Sequence, residues 1–245
     1  MALELDAPLK QLAARFPAGA PVTLRELKAL GVSSQLAYWY TKNGWLERLG
    51  RGVFVRDASQ LELRASLAAL EQAGGNFHVG GRTALDWRGV RHFARQRERV
   101  FLYGTKPLTV PAWLRTRFDV VYRRKQLFRG KAADRLAVSR LEGPSRSPLV
   151  AEPERAILEL LSEVPNRQSV EEARLLMEGM LTLRPNVLQP LLVSCASVKT
   201  VRLFLNWSRE LSLPHLAKLD ERKLKKGSKS RYIYKTADAT LVLKP

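Results

Sequence analysis

Residues 23–55 carry start and stop signals so closely spaced that few folds satisfy them. Thr23 followed by Glu26 is a capping box, which starts a helix at Leu24. Leu24, Leu27 and Leu30 face inward on it, and Gly31 ends it. Ser33 is the next N-cap, opening a helix through about Lys42 with Leu36, Ala37, Tyr40 and Thr41 as its buried stripe. Asn43-Gly44 is a turn. Trp45–Leu49 then reads as a strand, Gly50-Arg51-Gly52 as a turn and Val53–Val55 as the return strand. Ahead of this block, Leu5, Leu9, Leu12, Ala13 and Phe16 fall at helical spacing until Pro17 to Pro21 breaks the pattern. Helix, short helix, tight turn, helix and two-stranded ribbon is the order of a winged helix-turn-helix.

The outward chemistry agrees. With Leu36, Ala37, Tyr40 and Thr41 turned to the core, Ser34, Gln35, Tyr38, Trp39 and Lys42 face out. A Gln amide pairs bidentately with adenine, a Ser hydroxyl serves any base edge, and Lys42 suits phosphate. The wing offers Arg48 and Arg51 between glycines that permit close approach. Thr23 and Ser33, at the two helix starts, complete the expected DNA-facing set. The competing reading has Tyr38 and Trp39 packed on another part of the chain or on a second copy.

Charge separates the classes of partner. The 245 residues hold 42 Lys and Arg against 23 Asp and Glu, a net of +19 that calls for a polyanion. The excess lies in blocks: +4 over residues 1–56, −2 over 57–81, +12 over 82–140, −1 over 141–215 and +6 over 216–245. Within the middle block, Arg82, Arg91, Arg95, Arg123, Arg124, Lys125, Arg129 and Lys131 form the candidate basic patch. Arg123, Arg124 and Lys125 follow a predicted strand with no acid among them.

Beyond the ribbon, a helix is predicted from Ser59 to Gln72, a short strand at Phe77–Val79, and strands at Arg99–Tyr103 and Phe118–Tyr122. Helices follow over 152–161, 170–181 and 198–211, and a closing hairpin over 232–234 and 241–243. The fold class is therefore α+β. A winged helix-turn-helix over residues 1–57 precedes a larger mixed α/β domain over 58–245, with a sub-boundary near 143–148.

Catalytic signatures do not emerge. The single Cys195 sits in an apolar stretch and rules out a disulfide framework or a multi-cysteine metal site. His78, His92 and His215 lack zinc-ligand spacing, and His78 and His92 read as hydrogen-bonded structural residues. Glu152, Glu154 and Glu159, with Arg155 among them, read as a capping and salt-bridge group. Gly80-Gly81-Arg82 lacks the Lys-Ser/Thr of a phosphate loop and reads as a tight turn. No catalytic residue, metal or cofactor is expected. The acidic N-terminus does not suit a signal peptide and no apolar run approaches the ~20 residues that span a bilayer, so a cytoplasmic protein without membrane contact is expected.

The run Gly31-Val32-Ser33-Ser34-Gln35-Leu36 and the stretch from Asn43 to Phe54 resemble the N-terminal region of the AbiEi antitoxin family. So does His78-Val79-Gly80-Gly81-Arg82-Thr83-Ala84-Leu85, the most specific piece, with Gly89 and His92-Phe93 after it. Residues 154–161, Leu183-Arg184-Pro185 and residues 197–205 are similar to that family's C-terminal region; Arg231 to Pro245 matches least. The resemblance implies a bacterial antitoxin and autorepressor of a phage-defence operon, whose winged helix binds promoter inverted repeats as double-stranded DNA. It implies a nucleotidyltransferase-like toxin, AbiEii, as functional partner, with no stable complex required. Palindromic operators favour two protomers on DNA. The residues alone leave two alternatives: a DNA-processing nuclease delivered by the winged helix, and a structural nucleic-acid-binding protein. A nuclease would need clustered carboxylates for Mg²⁺, whereas residues 82–140 scatter only Asp86, Glu98, Asp119 and Asp134 among sixteen bases.

Overall fold

The computed structural model describes residues 2–90, 99–130, 135–143, 146–228, 230–235 and 240–243. Of the basic residues singled out above, Arg91, Arg95 and Lys131 lie outside them, as does His92. The chain divides into two compact units. The first comprises residues 1–77, 108–120 and 140–149; the second comprises 78–107, 121–139 and 150–245.

In the first unit, α1 (Ala2–Arg15) precedes β1 (Val22–Thr23), α2 (Leu24–Ala29), α3 (Ser34–Lys42), β2 (Glu47–Gly50) and β3 (Val53–Val55). β3 is the centre of a three-stranded sheet, antiparallel to β1 on one side and to β2 on the other. The capping box forms: Thr23 N–H donates to Glu26 Oε2 at 2.8 Å, and Glu26 N–H donates to Thr23 Oγ1 at 3.3 Å. Such a cap stabilises a helix start by about 1 kcal/mol. The apolar faces of α1, α2 and α3 meet in a core of Leu12, Phe16, Val22, Leu27, Val32, Ala37, Tyr40, Leu46 and Phe54. This is the winged helix-turn-helix that the spacing predicts, with one difference. The first ribbon strand begins at Glu47, because the N–H groups of Trp45 and Leu46 both turn back to Tyr40 O.

The helix expected from Ser59 begins later. Asp57 accepts from Ser59 N–H and from the Gln60 side chain, holding residues 58–60 in a separate 3₁₀ turn, and Leu61 is extended. α4 then runs Leu63–Gln72. The first unit also takes in segments distant in sequence. Arg146 donates to Pro21 O at 2.9 Å, pairs with Glu26 at 2.6 Å and lies over the Phe16 ring at 5.2 Å.

The second unit is built on β4 (His78–Val79), α5 (Gly81–Trp87) and β5 (Arg99–Gly104). α6 (Ala112–Arg117) belongs to the first unit, and β6 (Asp119–Arg124) leads back. With β7 (Val138–Arg140) and β8 (Leu149–Ala151), these strands make a five-stranded sheet in the order β6-β5-β4-β8-β7. β4 is antiparallel to β5 and parallel to β8. α7 (Pro153–Glu163) is buried from Glu154 to Glu163 and packs against α5. α8 (Val170–Glu178), α9 (Pro185–Ser194) and α10 (Val198–Glu210) follow, with α10 also against α7. β9 (Tyr232–Lys235) and β10 (Thr240–Leu243) form the expected closing hairpin. α9 does not show in the sequence, because Pro190 stands inside it and its Leu-Leu-Val run lacks helical periodicity. α8 stops three residues short of expectation, at a Gly179 cap.

Candidate nucleic-acid interface

α3 presents one face to the core and one to solvent. Ala37 and Tyr40 are fully buried, Leu36 and Thr41 partly so. Ser34, Gln35, Tyr38, Trp39 and Lys42 are exposed, Tyr38 at 61% and Trp39 at 46%. Ser33 starts the helix by accepting from Leu36 N–H at 3.1 Å. At the other end, Asn43 donates from its side chain to Trp39 O at 2.8 Å. Lys42 Nζ stands 5.5 Å from the Tyr38 ring centroid, and Trp39 meets buried Tyr40 edge-on at 5.8 Å. Neither ring is inserted into the core, so two large aromatic surfaces remain available to a partner.

Thr23, counted with these residues on sequence, is buried, and its hydroxyl is committed to Glu26. It orients α2. Arg48 and Arg51 are exposed on the wing, and Arg48 Nε donates to Gly50 O at 3.3 Å. The β2–β3 register shifts between Arg48 and Gly50, and Gly52 sits at φ +69°, a conformation L side chains rarely adopt. Trp45, in the turn after α3, is also exposed, at 55%. The strand expected from Trp45 starts only at Glu47, and the Asn43-Gly44 pair just before Trp45 is the sequence signal that places it in the turn.

The described members of the basic patch belong to the second unit and divide by partner. Arg82 forms an ion pair with Glu172 of α8 and approaches Asp86 at 3.7 Å. Arg123 Nε lies 3.6 Å from Glu163 Oε2 and over the Phe101 ring, while Lys125 Nζ sits 2.9 Å from Glu163 Oε1 and 2.7 Å from Ser162 Oγ. Arg82 and Arg123 line one narrow cleft with Phe101, Tyr103, Glu163 and Arg167. Arg124 and Arg129 are exposed; Arg124 Nε reaches only the Thr105 carbonyl, and Arg129 makes no ion pair among the described residues. Asp86 lies four residues from Arg82 on α5, but Glu172 and Glu163 come from α8 and α7, so no local window reveals those two partners.

The glutamate group of α7 is an anchoring device. Glu154 accepts from Arg184 Nε at 2.9 Å and from Arg184 N–H at 2.8 Å, and Glu152 pairs with the same guanidinium. Glu159 holds His78 and Arg155. Burial pushes the Glu159 carboxyl up, but His78 and Arg155 beside it outweigh that and bring it down to about 2. Burial pushes the Cys195 thiol up to about 11. Among the described residues, no three His, Cys, Asp or Glu side chains converge as a metal site would require. No described helix is long and apolar enough to cross a membrane.

Residues 6–96 match the family pattern described as the AbiEi antitoxin N-terminal domain of a transcriptional regulator. Residues 97–242 match the pattern described as transcriptional regulator, AbiEi antitoxin, type IV TA system. No curated protein matches the sequence. Among solved structures, the crystal structure of the Rv2827c protein from Mycobacterium tuberculosis is similar at 16% identity, covering 88% of this chain and 81% of that one, with a TM-score of 0.49.

Proposed function

The chain belongs to the AbiEi family of transcriptional regulators, antitoxins of type IV toxin–antitoxin systems, and from that premise we propose that its winged helix represses its own operon by binding inverted repeats in the promoter. The observation that carries this reading is the outward face of α3. Ser34, Gln35, Tyr38, Trp39 and Lys42 stand exposed on a helix whose opposite side is sealed by Ala37 and Tyr40. A recognition helix needs that combination, since base edges are read by side chains held rigidly from behind. Arg48 and Arg51 on the wing supply phosphate contacts, which position without reading sequence. The unit acting on DNA is residues 1–57, and an inverted repeat takes two copies.

The remainder of the chain, residues 58–245, opposes a nucleotidyltransferase-like toxin of the AbiEii kind, in the cytoplasm and without catalysis of its own. Among the described residues of the basic patch, Arg124 and Arg129 are the ones left to meet nucleic acid, since no described carboxylate neutralises them.

The test is a gel-shift titration of the full chain on duplex DNA from the region upstream of its own reading frame, against random duplex of equal length. Preference for the upstream duplex of roughly a thousandfold or more is the expected result. Equal binding to both would overturn promoter recognition. Toxin neutralisation is read separately, as restored growth of cells expressing a toxin encoded beside it.

A further inference from the structure

α6 lies far beyond the wing in sequence, yet both belong to the same compact unit and α6 is built against the wing's base. A Cβ built on Gly50 of β2 would stand 3.5 Å from Trp113 Nε1 and 3.6 Å from Trp113 Cδ1, so the indole lies against that strand. Arg48 Nε donates to the carbonyl of the same Gly50. One turn on from Trp113, Arg117 Nη2 donates to Ser59 O at 2.7 Å, and the neighbouring Ala58 N–H donates to Glu47 Oε1 of β2 at 2.8 Å. Buried Leu114 roots the helix. Trp113 and Arg117, four residues apart, share one face of α6, and that face meets the wing.

Both side chains keep donors to spare. The Trp113 indole N–H has no hydrogen-bond partner among the described residues. Arg117 is exposed, spends one of its five N–H donors on the Ser59 carbonyl, and meets no carboxylate among the described residues. An indole N–H and a guanidinium on one helix face, beside a wing that carries Arg48, form a donor set suited to phosphodiester oxygens.

We infer that α6 is a second DNA-contacting element, in which the Trp113 indole N–H and the Arg117 guanidinium each hold a backbone phosphate flanking the wing. The inference rests on the reading of the winged helix as the DNA-binding face. It adds affinity and register to that face, with no sequence preference of its own. Arg115 provides an internal control. It lies two residues from Trp113, about 200° around the helix, and is exposed away from the wing. Its loss removes the same charge from the opposite face.

The experiment uses the full chain and its Arg117→Gln, Trp113→Phe and Arg115→Gln variants. Each is titrated at several salt concentrations on the upstream duplex and on random duplex. Arg117→Gln is expected to lower the magnitude of the salt slope by about 0.9 and to weaken both duplexes by the same factor. Trp113→Phe keeps an aromatic ring on α6 while removing the N–H together with part of the indole that lies against Gly50. It is expected to weaken both duplexes about two- to tenfold with the slope unchanged. Arg115→Gln is expected to bind as the unaltered chain does. Binding by Arg117→Gln or Trp113→Phe indistinguishable from that of Arg115→Gln overturns the inference. Melting curves check folding, and should Trp113→Phe melt early, the exposed Arg117 decides alone. Failure of the promoter reading looks different: the unaltered chain would not prefer the upstream duplex, while the phosphate contacts of α6 would still register on random DNA.

Discussion

His78 Nε2 lies 2.7 Å from Glu159 Oε1, joining β4 to α7 across 81 residues of sequence inside the second unit. The other carboxylate oxygen accepts the Gly81 N–H at 3.0 Å, and Arg155 Nε meets Oε1 at 2.8 Å. This explains the two glycines after Val79. A Cβ on Gly80 would come within 2.2 Å of Glu159 Oε2, and Gly81 turns at φ +52° to aim its N–H at that oxygen. The turn is shaped to receive the protein's own carboxylate, so the place a phosphate would take in a glycine-rich loop is filled from within.

Acid stability follows from this anchor. The Glu159 carboxyl lies lower in the folded chain than its ordinary value of 4.5, at about 2. A depressed carboxyl contributes stability that is complete above the unfolded value and is lost as pH falls through the folded one. Stability of the second unit is therefore expected to decline between about pH 4.5 and pH 2, measured by denaturant melts across that range. Glu159→Gln should remove that part of the decline and destabilise the chain at pH 7 by about 3 kcal/mol, because His78 and Arg155 lose their buried partner. A Gln variant with an unchanged pH profile would show that the anchor is not ionised in the way described.

The recognition face is tested by side chains that carry no folding load. Gln35 and Tyr38 are both exposed on α3. Gln35→Ala with Tyr38→Ala should weaken binding to the upstream duplex by roughly 1–3 kcal/mol per lost base contact and leave the melting temperature unchanged. Undiminished binding with a normal melt would remove α3 from the interface.

Arg123 and Lys125 should behave unlike Arg124 and Arg129. Glu163 is buried and depends on the first two, with Arg167 Nη1 at 3.5 Å as its other cation. Changing Arg123 and Lys125 to Gln should cost roughly 1–3 kcal/mol of stability, seen as a fall in melting temperature. Changing Arg124 and Arg129 to Gln should leave the melt alone and lower the salt slope on duplex DNA by about 0.9 per lost phosphate contact. An unaltered slope would turn these two cations toward another partner.

Cys195 is buried and its thiol is pushed up to about 11 by that burial. Thiolate is the reactive form. Alkylation at pH 8 should therefore be negligible in the folded chain and complete in denaturant, as followed by mass spectrometry. Rapid labelling of the native chain would mean that α9 and its flanking loop open readily.

Local rules carried the first sixty residues a long way. The Thr23 and Ser33 caps, the Asn43-Gly44 turn and the division of α3 into inner and outer faces are settled within three or four residues of chain. Their hydrogen bonds link i to i+3 or i+4, so adjacent letters contain both partners. α9 is different: Pro190 interrupts its pattern, and packing against α7 completes a helix that its local sequence does not announce. Nor does the short run from Trp45 to Leu49 reveal that the N–H groups of Trp45 and Leu46 turn back to Tyr40 O and leave the strand to begin at Glu47.

The basic middle block shows what only the tertiary structure decided. By itself the sequence determined how many cations lie between residues 82 and 140, and that few acids lie among them. It did not determine which of those cations are neutralised. Arg82 finds Glu172 ninety residues on, and Lys125 finds Glu163 thirty-eight residues on. Likewise, α6 gains its place against the wing through Trp113 and Gly50, which no sequence window contains together. The physical reason is common to these cases. A cap or a turn is closed by short-range geometry that every chain with those residues shares. An ion pair between distant segments, or a helix seated against a far strand, exists only where the path of the chain brings the two together.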